Sequence, residues 1–142
     1  MLIGTYYHQL DQKNRFRIPA KFKQILGDNI VITRGNGNQL FLFSSDELKR
    51  LVIDKTETIS LFDEVGQRSV RLLLSSAFEL EQDNQGRSLL PATLKKLASI
   101  NKDIVSVGVG TRVELWSAEE WEKYSSGTSV DEEISKLKDY GV

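Results

Sequence analysis

Two arginines occupy the same place in a short pattern that the chain carries twice. Asp11-Gln12-Lys13-Asn14-Arg15-Phe16-Arg17-Ile18-Pro19 and Asp83-Asn84-Gln85-Gly86-Arg87-Ser88-Leu89-Leu90-Pro91 both read D-x-x-x-R-x-x-x-P. A carboxylate four residues ahead of a guanidinium can accept the amides of a tight turn, or pair with the arginine, and so stiffen the loop and aim the side chain. Asn14 and Gly86 take the same position in the two copies; both residue types tolerate the left-handed conformation that a turn apex demands. An arginine presented in this way does recognition chemistry, since it can bond guanine O6 and N7 bidentately in a major groove that admits a two-stranded ribbon. For an isolated D-x-x-x-R, an arginine tied only to its own aspartate is the ordinary outcome. Two copies at matched positions, with Lys13 beside the first, favour binding.

Enzymatic chemistry finds little support. His8 is the single histidine and cysteine is absent, which excludes disulfides and His/Cys metal sites. No carboxylate spacing suggests a metal, and no phosphate loop, serine elbow or dinucleotide fingerprint occurs. Gly35-Asn36-Gly37 reads as hairpin chemistry. No catalytic residue, cofactor, metal or small-molecule substrate is therefore expected. The formal net charge of −1 conceals a local imbalance: Lys13, Arg15, Arg17, Lys21 and Lys23 stand together, while acids collect at Glu114, Glu119, Glu120 and Glu122 and at Asp131 to Glu133. Taken alone such a basic cluster is most often a solvated face. In a groove-binding turn, Lys13, Arg17, Lys21 and Lys23 would engage phosphates. The opening residues lack a signal-peptide pattern and no apolar run approaches membrane-spanning length, so the cytosol is the expected compartment.

The elements around the two patterns recur in one order. A strand over Leu2 to Leu10, a return strand over Phe16 to Ile18, a helix over Ala20 to Leu26 with Pro19 at its first position, strands at Ile30 to Thr33 and Leu40 to Phe43, and a helix opened by Ser44 and Glu47 make the first half. Phe78 to Leu80, Ser88 to Leu90, Ala92 to Ala98 behind Pro91, Ile104 to Val107, Arg112 to Trp116 and a helix opened by Ser117 and Glu120 make the second. This order indicates an internal duplication with pseudo-two-fold symmetry. One compact domain is expected: a first repeat over residues 1–53, a linking segment over 54–77 with a helix from about Glu64 to Ser75 whose apolar residues pack, a second repeat over 78–124, and a linker with a C-terminal amphipathic helix over 125–142. That last helix, opened by Ser129 and Glu132, carries Val130, Ile134 and Leu137 on one stripe, suited to its own domain or to a neighbouring subunit.

The doubled pattern, its strand–turn–strand–helix surroundings, the opening Leu-Ile-Gly-Thr-Tyr and the stretch Gly86 to Pro91 resemble the MraZ family of bacterial transcriptional regulators over nearly the whole chain. The resemblance implies an α+β fold, an internally duplicated swapped-hairpin β-barrel of the AbrB-like superfamily with short peripheral helices. It implies a ring-shaped homo-oligomer, nucleoid-associated in the cytoplasm, that binds direct repeats in double-stranded promoter DNA and represses the cell-division and cell-wall gene cluster. By the same resemblance Lys13, Asn14, Arg15, Arg17, Gly86 and Arg87 are DNA-binding, and Asp11 and Asp83 organise the turns. Asn14 departs from the glycine more usual in the family, and Asn84 and Gln85 make the second turn less basic than the first. The competing expectation is a protein-interaction module, such as a toxin antidote of related fold, using an acidic tail.

Overall fold

The computed structural model describes all 142 residues. Strand β1 (Leu2–Gln9) runs into the first turn, and β2 (Arg15–Arg17) returns from it. Helix α1 (Ala20–Leu26), the hairpin β3 (Ile30–Arg34) and β4 (Leu40–Ser44), and a continuous helical stretch of α2 (Ser45–Leu48), a π-helical turn (Lys49–Ile53) and α3 (Asp54–Thr56) complete the first half. After α4 (Glu64–Leu74) the order repeats as β5 (Phe78–Leu80), β6 (Arg87–Leu89), α5 (Ala92–Leu97), β7 (Asp103–Gly110), β8 (Val113–Ser117) and α6 (Ala118–Ser126). A short α7 (Val130–Ser135) and a 3-10 turn (Lys136–Tyr140) end the chain. The helices opening at Ser44, Ser117 and Ser129 begin as the capping residues require, each serine hydroxyl accepting the amide of the residue three further on. Pro19 and Pro91 differ from expectation. Their ψ of 134° leaves both outside the helix as capping residues, with the Pro19 carbonyl accepting from Phe22 and Lys23.

The strands form a six-stranded antiparallel sheet in the order β1-β7-β8-β4-β3-β5 and a two-stranded ribbon of β2 with β6. Exchanging each strand for its counterpart in the other half (β1 for β5, β2 for β6, β3 for β7, β4 for β8) returns the same sheet order read backwards and the same ribbon. The expected closed barrel does not form: the large sheet keeps two edges, β1 and β5, because β2 and β6 pair with one another instead of bridging them. Strand β7 is longer than its apolar run suggests, reaching Gly110 alongside the whole of β1. Gly108 permits this, since a Cβ there would lie 2.5 Å from the backbone of Leu2 and Ile3.

One hydrophobic core lies where the inner face of the sheet meets the ribbon, α1 and α5. It includes Phe16, Phe22, Ile32, Leu42, Leu94 and Leu115, and Tyr6 meets the Phe22 ring edge-on at 5.0 Å. A smaller cluster on the other face joins Val105, Val107 and Trp116, with Trp121 packed against it. The linking helix packs only in part: Leu73 and, just beyond the helix, Ser76 are half-buried, with Ser76 Oγ 3.3 Å from Thr33 Oγ1, whereas Val65 and Leu72 are 83% and 58% exposed and Leu61 and Phe62 before the helix are 82% and 95% exposed. The C-terminal stripe is likewise uncovered, with Val130 and Ile134 on α7 and Leu137 on the 3-10 turn after it all exposed.

Candidate nucleic-acid interface

The ribbon sets the site. At its centre Phe16 pairs with Ser88, and both are buried. Side chains alternate across a strand, so burying that pair turns Arg15, Arg17, Arg87 and Leu89 outward, in the register Arg15 opposite Leu89 and Arg17 opposite Arg87. The two turns thereby come to lie side by side, one from each half.

Each turn is built in the same way. Asp11 Oδ1 accepts the amides of Lys13 at 2.8 Å and Arg15 at 2.9 Å, and Oδ2 accepts Arg15 Nε at 2.9 Å. Asp83 Oδ1 accepts the amides of Gln85 and Arg87, and Oδ2 accepts Arg87 Nε, all at 2.9 Å. Asn14 and Gly86 take the left-handed conformation at φ 59° and 73°, which lets the Asn14 and Gly86 amides close back onto the Asp11 and Asp83 carbonyls at 3.0 Å. The amide bonds, those from Arg15 and Arg87 foremost, hold both carboxyls below the ordinary carboxylate range.

The turns also share their charges. Arg15 Nη1 lies 3.6 Å from Asp83 Oδ2, and Arg87 Nη1 lies 3.7 Å from Asp11 Oδ2. The guanidinium side chains are 27% and 25% exposed, neither buried inward nor swinging free, and Nη2 of each has no protein partner. Aspartates that each orient two arginines, rather than one apiece, were not legible in the spacing. A cavity of about 260 Å³ opens beside the pair, lined by His8, Phe16, Arg15, Arg17 and Arg87. His8 Nε2 sits 2.7 Å from Ser106 Oγ, and burial lowers its pKa.

The remaining basic residues separate. Lys13 and Lys21 are exposed. Arg17 is exposed, and its Nε donates to the Gln85 carbonyl at 3.0 Å, reaching across to the second turn. Lys23 is not free for a phosphate: its ammonium donates to the Gly27 carbonyl and to Asp28 at the end of its own helix. Lys95, at the matching place in α5, does what its position alone did not announce, donating to Asn14 Oδ1 at 2.8 Å. Its spacing behind Pro91, equal to that of Lys23 behind Pro19, was the available signal. No group of three or more His, Asp or Glu side chains converges as a metal site, and no helix is long and apolar enough to cross a membrane.

A family model described as "MraZ protein, putative antitoxin-like" matches residues 1–68 and 73–138, one match over each half. Among curated proteins, the chain is 41% identical to the transcriptional regulator MraZ of Clostridium tetani, with all of both chains covered. It is 46% identical to that of Thermoanaerobacter pseudethanolicus, over 98% of this chain and 97% of the relative, and 44% identical to that of Clostridium beijerinckii, again over the full length of both. With two family matches that divide the chain as its two arginine turns do, and relatives alike from end to end, this protein belongs to the MraZ family.

Proposed function

We propose that the chain is a transcriptional regulator that binds double-stranded DNA sequence-specifically through its paired turns. The observation that carries this is the reciprocal cluster of Arg15, Arg87, Asp11 and Asp83, which fixes two outward guanidinium groups next to each other on a two-stranded ribbon. A ribbon of that kind fits a major groove, and pre-oriented guanidinium groups suit guanine edges. Lys13, Arg17 and Lys21 supply phosphate contacts, while Asp11 and Asp83 organise the turns. The reversed strand order under exchange of halves supports an internal duplication of a swapped hairpin, with residues 1–53 and 78–124 as its two repeats.

One turn pair grips weakly. Self-association into a ring would present it repeatedly to direct repeats spaced ~10 bp apart, converting later contacts into intramolecular ones. The exposed Leu61, Phe62 and Val65 and the uncovered C-terminal stripe are the surfaces that support such assembly. The relatives' names support transcriptional regulation, and the resemblance drawn from the doubled pattern supports action at a promoter, repression of the cell-division and cell-wall cluster, and residence in the cytoplasm on the nucleoid. An antidote-like module would cover its partner with an extended acidic tail, whereas residues 130–140 are helical and serine-capped. The test is binding of a guanine-containing repeat array across a salt series. Specific binding whose affinity falls steeply with salt is expected, and indifference to both base sequence and salt would remove the reading.

A further inference from the structure

The first turn differs from the second in one respect that bears on which base it accepts. Asn14 Oδ1 receives the Lys95 ammonium at 2.8 Å. Ammonium is a donor only, so the carbonyl end of the Asn14 amide must face Lys95 and the Nδ2 end must face away. The Asn14 backbone is held as well, its carbonyl accepting the Leu90 amide at 2.9 Å and its own amide donating to Asp11 at 3.0 Å. The only hydrogen bond of the Asn14 side chain is the one at Oδ1, so Nδ2 remains without a partner. The second turn has no equivalent, because Gly86 has no side chain and Lys23 is spent on Gly27 and Asp28.

Asparagine free at both ends reads adenine by donating to N7 and accepting from N6–H, a pairing that needs Oδ1. Oδ1 keeps a second lone pair, but the Lys95 ammonium holds it beside a positive charge, which disfavours a further donor such as adenine N6–H there and leaves Nδ2 as the favoured contact. Guanine offers a donor two acceptors, O6 and N7, whereas adenine offers N7 alone beside the N6–H donor, so the two-point adenine pairing is weakened and guanine is favoured. Resting on the reading of the turns as the DNA interface, we infer that Lys95 is a positioning residue which makes the first turn a reader of acceptors, so that it discriminates guanine from adenine. Lys95 belongs to the second half and Asn14 to the first. The preference of one turn is therefore set from across the duplication.

The experiment uses the full chain and a duplex recovered by repeated selection on it, with each guanine changed in turn to adenine. Lys95→Met keeps the aliphatic stem and frees Oδ1. It should reduce the preference for guanine over adenine at one position per repeat by about fivefold or more, the lower end of what one bidentate contact is worth, while positions facing the second turn keep theirs. Lys95→Arg, which still donates, should restore the preference. In an Asn14→Gly background, Lys95→Met should leave discrimination unchanged. A uniform loss of affinity for every sequence, with a shallower salt slope, would instead make Lys95 a phosphate contact and overturn the inference. So would unchanged discrimination in Lys95→Met with Arg15→Ala still abolishing binding. Recovery of no specific duplex, or full binding by Arg15→Ala, would overturn the underlying reading of the turns.

Discussion

Replacing Arg15 and Arg87 by methionine, singly and together, tests the shared cluster directly. Methionine keeps an unbranched apolar stem and removes the charge. As built, the four groups carry two positive and two negative charges and sum to zero. Either single substitution leaves one guanidinium between two carboxylates, a net −1 at the surface that must approach phosphate. The lost base contact alone is worth about 1–3 kcal/mol, or roughly 5- to 150-fold. The surviving arginine suffers too. Its Nε already bonds its own aspartate at 2.9 Å, and the other aspartate, with its partner gone, competes for Nη1 across 3.6–3.7 Å. Each single variant therefore disables part of the other turn.

The double variant should consequently lose less than the two single losses combined, with a coupling of at least about 0.5 kcal/mol, as for residues in one charge network. Fluorescence anisotropy on a labelled repeat duplex at fixed salt gives the four affinities. Melting midpoints of the four proteins should differ little, because the turn amides still bond both carboxylates when either guanidinium is gone. Strict additivity would refute the shared network, leaving two independent arginine–aspartate pairs. A large drop in melting midpoint without a change in affinity would refute the binding role.

Asn14→Gly should preserve the first turn and the fold, whereas Gly86→Val forces a β-branched residue to φ 73° and should cost about 1–2 kcal/mol, read by chemical denaturation; nothing lies within 4 Å of a Cβ at Gly86, so the cost is in the backbone. Asp11 and Asp83 titrate below their unfolded values, so their contribution is fully present above the ordinary carboxylate range and is lost as pH falls through the depressed folded pKa; DNA binding should survive mild acidification and fail only below that range, as a pH series of anisotropy measurements would register. Phe62→Ser, at a side chain 95% exposed, should lower the mass measured by light scattering without moving the melting midpoint of the chain, and an unchanged mass would remove Phe62 from the assembly surface.

Residue type and spacing were informative wherever a local rule decides the outcome. The αL apex at Asn14 and Gly86, the three serine caps and the helix over Ala20 to Leu26 follow from the backbone preferences of single residues and short windows. Reading failed where the deciding contact is distant in sequence. The extension of β7 depends on β1 lying against Gly108. The open sheet depends on β2 finding β6 across the chain. The exposure of Val65 and Leu72 could not be read from their helical spacing, since periodicity marks an apolar face without saying what covers it. The cross-half contacts at the site, Arg15 to Asp83, Arg17 to Gln85 and Lys95 to Asn14, have the same cause.

Two arginine turns in one chain need not be equivalent, and these are not. A reader with true two-fold symmetry presents identical elements to both half-sites and so prefers palindromes. Here the first turn carries Lys13, Asn14 and the Lys95 clamp, and the second carries Gln85 and Gly86. On the proposed reading each copy of the chain would see an asymmetric site, and copies related by rotation in a ring would then require sites repeated in one direction. Making the turns alike should weaken that polarity. In Gln85→Lys with Gly86→Asn the new asparagine suits φ 73°, and the Gln85 backbone carbonyl that holds Arg17 is retained. Binding to the selected repeat and to the same repeat with its core inverted would be compared for both proteins. The native chain should favour the direct orientation and the variant should narrow that preference. An equal preference for both orientations in the native chain would show that the difference between the turns is not read by DNA.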